Sequence, residues 1–141
     1  MYIRNEVVRF GAGARAQSDE LDASRSGASF VQQYFTALAS SPAALGVLYR
    51  DTSTFQMEGR PHTGSAAIMA ALATLPAGPS LATMDVQPIS ADGAVLLCLV
   101  TGSVVLEGQT NPLAMSQILV VQSAPGGPPA ITNQAWRLNY S

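Results

Sequence analysis

Ala94-Val95-Leu96-Leu97-Cys98-Leu99-Val100-Thr101-Gly102-Ser103-Val104-Val105-Leu106 runs for thirteen residues without a charge. Asp85-Val86-Gln87-Pro88 precedes it, Glu107-Gly108 turns the chain, and Ile118-Leu119-Val120-Val121 follows. A strand with one wet face alternates apolar and polar residues; a strand apolar at every position is covered on both faces. In a chain of 141 residues, a few helices cover one face of a sheet. The second face calls for another molecule.

The charges agree. From Ala28 to the end there are three basic residues (Arg50, Arg60, Arg137) and five acidic ones (Asp51, Glu58, Asp85, Asp92, Glu107) among 114, with no lysine anywhere. Soluble domains carry roughly one-quarter charged residues. A surface this poor in charge predicts a large permanent protein interface.

The length suits one core. No apolar run reaches the about 18–20 residues of a membrane span, so no membrane partner is expected. A net charge of −2 leaves no basic face for phosphates, so direct nucleic-acid binding is not expected either. Cys98 is the one cysteine; mid-strand, it reads as an inert core thiol in a reducing compartment. No signal-peptide pattern opens the chain. Arg4, Arg9 and Arg15 against Glu6 give the charge balance of a mitochondrial presequence, a second reading of residues 1–17.

Residues 1–17, with Gly11 and Gly13, read as a flexible appendage, and residues 18–141 as the domain. Ser29 with Gln32 forms a capping box, followed by the stripe Phe30, Val31, Tyr34, Phe35 and Leu38; a start near Asp19 with the helix running through is the alternative. Ser41-Pro42 starts a short helix. Thr52–Met57 reads as a strand and Glu58-Gly59 as a turn. Gly64-Ser65 starts a third helix, stopped by Pro76. Strands follow at about 81–90, 94–106, 112–122 and 131–139. Ala91-Asp92-Gly93 is a hairpin turn, Gly102 a mid-strand bulge, and Pro125-Gly126-Gly127-Pro128-Pro129 a ladder-breaking loop. Helices first and a meander after predict an α+β domain.

Phe30-Val31-Gln32-Gln33-Tyr34-Phe35, Leu48-Tyr49, Met57-Glu58-Gly59, Gly64 with Ile68, Leu75-Pro76, Asp85-x-Gln87-Pro88 and Asn133-x-x-Trp136-Arg137-Leu138 together resemble the nuclear transport factor 2 family in order and spacing. Gly102-Ser103-Val104 with Glu107-Gly108 resembles the small NXT-type subunit of the general mRNA export receptor. The resemblance implies a cone-shaped fold: a strongly bent antiparallel sheet with about three helices on its concave face. It implies no cofactor and a dimer built sheet against sheet. The expected partner is a related domain of the large export-receptor subunit, which carries RNA and engages nucleoporin repeats. The expected location is the nucleus and nuclear pore, with shuttling to the cytoplasm.

The alternative within the family is a homodimeric import carrier for the GDP form of Ran. Its Ran site, an aromatic-rimmed pocket flanked by acids, falls on Met57, Glu58, Glu107 and Gln109. Met57 replaces the aromatic and Gln109 carries no charge, so weak Ran binding or none is expected. Gln134 stands where an acid is common in the family. A second alternative is a cone-pocket enzyme of isomerase or dehydratase type, which needs an acid or base inside the cone. The inventory for it is His62, Asp51 and an Asp85–Tyr34 pair, with no metal-ligand set, nucleophile elbow or phosphate loop. A non-enzymatic role is expected.

Strand parity assigns the faces. Asp85 and Gln87 oppose Met84 and Val86, and Asn133, Ala135 and Arg137 oppose Gln134, Trp136 and Leu138. Asp85, Gln87, Ala135 and Arg137 are therefore expected on the open face. Periodicity does not assign the apolar strand; the resemblance places Leu97, Leu99 and Thr101 outward and Cys98 and Val100 inward. These seven outward residues are the expected partner-binding set. Asp85, once buried there, needs a cation from the partner.

Overall fold

The computed structural model describes residues 13–75, 79–106, 108–124 and 127–139. Three helices lie on one face of a six-stranded sheet. In chain order these are helix α1 (Gly13–Ser40), a 3-10 helix (Pro42–Leu48), strands β1 (Tyr49–Met57) and β2 (Arg60–Thr63), helix α2 (Ser65–Leu72), and strands β3 (Ser80–Pro88), β4 (Val95–Val104), β5 (Leu113–Ala124) and β6 (Gly127–Asn139). The strand order is β2-β1-β6-β5-β4-β3. β3 to β6 form an antiparallel meander, and β1 joins β6 in parallel. The expected antiparallel sheet is thus mixed. β1 follows the first two helices and reaches β6 from the far side, so its direction is set by that crossover rather than by a hairpin.

α1 runs through the expected capping box. Ser29 lies inside it, with its hydroxyl accepting from Gln33 Nε2 at 3.3 Å. No proline interrupts residues 13–40, and about half of them are good helix formers, so nothing forces a start at Ser29. Residues 1–12 of the expected appendage lie outside the described residues. Gly13–Gln17 belong to α1, which crosses residue 18 unbroken. Gly27 lets the helix settle on the sheet, because a Cβ there would sit 2.4 Å from Val86 Cγ1.

The core fills the space between helices and sheet. Val31, Tyr34, Phe35 and Leu38 of α1, Leu45, and Ile68 and Leu72 of α2 meet Phe55, Leu96, Cys98, Val100, Met115, Leu119, Val121, Ile131, Trp136 and Leu138. The strand β2 has no apolar alternation and falls outside the expected set. It forms because the Glu58-Gly59 turn folds Arg60 back onto Met57.

Two local expectations shift. The irregularity assigned to Gly102 sits on its neighbour, between Leu81 and Thr83. Gly102 is needed for close approach instead, since a Cβ there would lie 1.9 Å from the Ser80 carbonyl oxygen. Pro128 and Pro129 are in β6, not in a loop, and the register shifts between Gln122 and Ala124. β1 pairs with β6 only from Ile131 onward, so this end of β6 is an edge, where proline is tolerated. Pro76, Glu107, Pro125 and Gly126 lie outside the described residues.

Candidate functional site

The outward residues of the sheet line up by register. Gln87, Leu97, Val120, Asn133 and Thr54 form one row across β3, β4, β5, β6 and β1. Asp85, Leu99, Ile118, Ala135 and Gln56 form the next, and Thr83, Thr101, Ser116 and Arg137 a third. All seven expected partner-binding residues therefore share one face. Ile118 belongs with them. It was hidden in a run apolar on both faces, and polar residues flank that run on both parities (Ser116 and Gln122 on one, Gln117 and Ser123 on the other), so no local signal places it outward.

The centre of this face is apolar and is not covered by any of the described residues. Leu99 is 42 % exposed and Ile118 43 %, whereas Cys98, Val100 and Leu119 on the helix side are at 0 %. Polar groups border the centre: Asn133 Nδ2 donates to Thr54 Oγ1 at 3.1 Å, the Thr83 and Thr101 hydroxyls bond to each other, and Arg50 Nη1 donates to Gln122 Oε1 at 3.0 Å. Asp85 and Arg137 are both exposed, on β3 and β6. Two strands separate them, a distance of about 14 Å at 4.8 Å per strand spacing. They are too far apart to pair within one copy.

The covered side carries a closed hydrogen-bond ring. Tyr49 OH donates to Gln134 Oε1 at 2.6 Å, and Gln134 Nε2 donates to Tyr34 OH at 3.2 Å and to Gln117 Oε1 at 2.8 Å. The two phenol oxygens are 2.8 Å apart. Since the Tyr49 proton is committed to Gln134, Tyr34 is the donor of that pair. Trp136 Nε1 and Gln117 Nε2 both point at Met115 Sδ, at 3.2 and 3.4 Å. Burial pushes both phenols above the usual tyrosine range, and hydrogen bonds pull Tyr34 partly back. Every member of the ring is neutral, and the phenol protons are taken up by hydrogen bonds within the ring, so it organises the core.

The other enzyme candidates do not converge there. Asp85 lies on the open face, as strand parity expects, and so faces away from Tyr34; the carboxylate–phenol pair that an inward Asp85 would make does not form. Asp51 is exposed, and His62 is half-buried on β2 with its ring 6.3 Å from that of Phe55. Burial pushes the Cys98 thiol up to about 11, which keeps it protonated and unreactive. Among the described residues no three His, Cys, Asp or Glu side chains cluster as metal ligands.

A third area is the corner where β1 ends. Met57 is half-buried, with Thr74 Oγ1 4.0 Å from its sulfur. Glu58 accepts the Leu138 N–H with its carboxylate, and its own N–H donates to the Trp136 carbonyl at 3.0 Å. Gln109 is exposed in the β4–β5 connection; Glu107 lies outside the described residues.

Residues 26–134 match the profile of the Nuclear transport factor 2 (NTF2) domain, and the chain belongs to that family. Nuclear transport factor 2B of Arabidopsis thaliana is 30% identical over 115 residues, covering 79% of this chain and 90% of that protein. The structure of nuclear transport factor 2 from Cryptosporidium parvum superposes with a TM-score of 0.69 at 29% identity, over 80% of this chain and 91% of that one. The Chaetomium thermophilum Mex67 NTF2-like domain complexed with Mtr2 has a TM-score of 0.67 but 14% identity, over 86% and 99%. That likeness is one of fold alone. The sequence relatives are thus nuclear transport factor 2 proper, whereas the resemblance had pointed to the export-receptor subunit. The short Gly102-Ser103-Val104 signature that pointed there belongs to a strand whose glycine answers a local packing need, so it says little about lineage.

Proposed function

We propose that this chain is a homodimeric nuclear transport factor that carries the GDP form of Ran into the nucleus. It passes the nuclear pore by engaging nucleoporin repeats. The observation that carries the dimer is the self-complementary charge of the open face. A two-fold axis lying in the contact plane, along the strands and between β4 and β5, sets β3 of one copy over β6 of the other. Leu99 and Ile118 then meet their counterparts at the centre. Asp85 comes over the second copy's Ala135, one row from that copy's Arg137 and within reach of its long side chain, and the same pair forms again on the other side. A face bearing both the acid and the base needs no second kind of chain. This favours the homodimer over a small subunit paired with a large mRNA export receptor. The nuclear transport factor 2 relatives favour the same choice, and the corner at Met57, Glu58 and Gln109 is the Ran site it implies.

Charge reversal tests it. Asp85→Arg and Arg137→Asp should each weaken the dimer by about a hundredfold or more, because each places like charges in a desolvated contact. The double variant should recover most of the loss, since both partners change together. Sedimentation equilibrium reads all three. A double variant no better than either single one overturns the homodimer. So does a wild type that stays monomeric, or that co-purifies stoichiometrically with a large RNA-binding chain. Calorimetry with GDP-loaded Ran tests the cargo, with binding expected in the micromolar range. No heat at any concentration removes that half of the reading.

A further inference from the structure

Met57-Glu58-Gly59-Arg60 is a two-residue hairpin in which Met57 pairs with Arg60. Glu58 has φ 54° and Gly59 φ 84°. Both loop residues are left-handed, the conformation for which asparagine, aspartate or glycine is the usual first residue. Glu58 is the one non-glycine residue with positive φ among the described residues. A long acidic side chain in that conformation is strained. Its carboxylate, however, accepts the Leu138 N–H.

Ladder geometry explains why that bond matters. Met57 is paired with Trp136 in the parallel β1–β6 ladder, and Glu58 N–H donates to the Trp136 carbonyl. The next rung would bring the Leu138 N–H to a β1 carbonyl. The chain has turned away by then, and the Glu58 carboxylate stands in for the missing carbonyl. Leu138 is buried, whereas its neighbour Arg137 points to the open face. The Arg137 guanidinium lies over the same turn, with Nη2 3.9 Å from where a Gly59 Cβ would be.

We infer that Glu58 is a positioning residue for the dimer face: its carboxylate latches Leu138, and so fixes the backbone from which Arg137 reaches the second copy's Asp85. This rests on the homodimer reading above. It also links the proposed Ran corner to the interface, because a cation docking on Glu58 competes with the Leu138 N–H for the same carboxylate.

Two variants separate latch from strain. Glu58→Gly relaxes the left-handed backbone but removes the acceptor. Glu58→Gln keeps a carbonyl oxygen at the same reach. Amide exchange at Leu138 should rise about tenfold or more in the glycine variant and stay near wild type in the glutamine variant. The dimer dissociation constant, by sedimentation, should rise about three- to tenfold in the glycine variant and recover in the glutamine variant. Unchanged Leu138 exchange in Glu58→Gly overturns the latch. Faster exchange with an unchanged dimer constant overturns the coupling. A wild type that sediments as a monomer overturns the dimer reading and this inference together. That result is distinct from failure of the coupling alone, which leaves a wild-type dimer.

Discussion

On the central strands β4 and β5 the two faces of this sheet are both apolar, and their fates are opposite. On the helix side Leu96, Cys98, Val100, Leu119, Val121 and Trp136 are buried by the helices. On the other side Leu97, Leu99, Ile118 and Val120 are covered by no helix among the described residues and remain half-buried or exposed. The polar groups differ in kind. Those on the helix side (Tyr34, Tyr49, Gln117, Gln134) are neutral and consume one another's hydrogen bonds. Those on the open side include two charges, Asp85 and Arg137, which the proposed dimer pairs between its two copies. A finished core closes its polar groups within itself, and an interface leaves them complementary to something else.

Substitutions on the two faces should therefore break different things. The largest effect is expected from Phe55→Ala on the helix side, where Phe55 is fully buried. Removing that ring should cost about 3–5 kcal/mol of folding stability, read as a lower urea midpoint with the slope unchanged. On the open side, Ile118→Asp should leave the fold of each copy intact and weaken the dimer by about a hundredfold or more, since a carboxylate would be buried without a partner. Sedimentation and urea denaturation of both variants check the contrast. An Ile118→Asp variant that keeps its dimer would mean the open face is wet.

The hydrogen-bond ring gives a pH-dependent test of the helix side. Gln134→Glu puts an ionisable carboxyl where burial is the dominant influence on the neighbouring phenol of Tyr34. Burial should raise the pKa of the new carboxyl above the unfolded value of about 4.3. The protonated acid fits the ring, accepting from Tyr49 and donating to Gln117. Above the unfolded pKa the unfolded chain releases its proton while the folded chain keeps it. Stability should thus be fullest below about pH 4.3 and fall as pH rises toward the folded pKa, by about 1.4 kcal/mol per unit. Wild type, with a neutral amide, lacks this component. Urea midpoints of both proteins at pH 4, 6 and 8 (roughly spanning that window) check it, and parallel curves would refute it.

Much of this contrast is legible in sequence, and the limits are physical. On β3 and β6 polar and apolar residues alternate, so parity alone assigns Asp85, Gln87, Ala135 and Arg137 to one face. β4 is apolar throughout, and only resemblance to known proteins assigned Leu97, Leu99 and Thr101. Ile118 was missed for the same reason on β5. The ring was hidden differently: Tyr34 and Gln134 are 100 residues apart in sequence, and nothing local tells a glutamine that faces a tyrosine from one that faces water. β2 is formed by a turn rather than by its own pattern. Glu58 reads as a turn residue and a candidate binding acid, but its bond to Leu138 depends on a parallel pairing that no local motif encodes.

The smallest expected effect concerns the corner where the helix side runs out. Met57 follows Ser53 and Phe55 on the inward parity, yet it is half-buried where they are buried, because it stands at the end of β1. It is apolar enough to receive a partner's side chain but lacks the flat wall of an aromatic ring. Met57→Trp should restore that wall beside the Glu58 carboxylate. GDP-loaded Ran should then bind about tenfold more tightly, or about 1.4 kcal/mol. The dimer should be unaffected, since Met57 is not on the open face. Calorimetry on wild type and variant reads the difference, and sedimentation controls for the dimer. Equal affinities would mean that cargo docks elsewhere, and that this corner is only the frayed edge of the core.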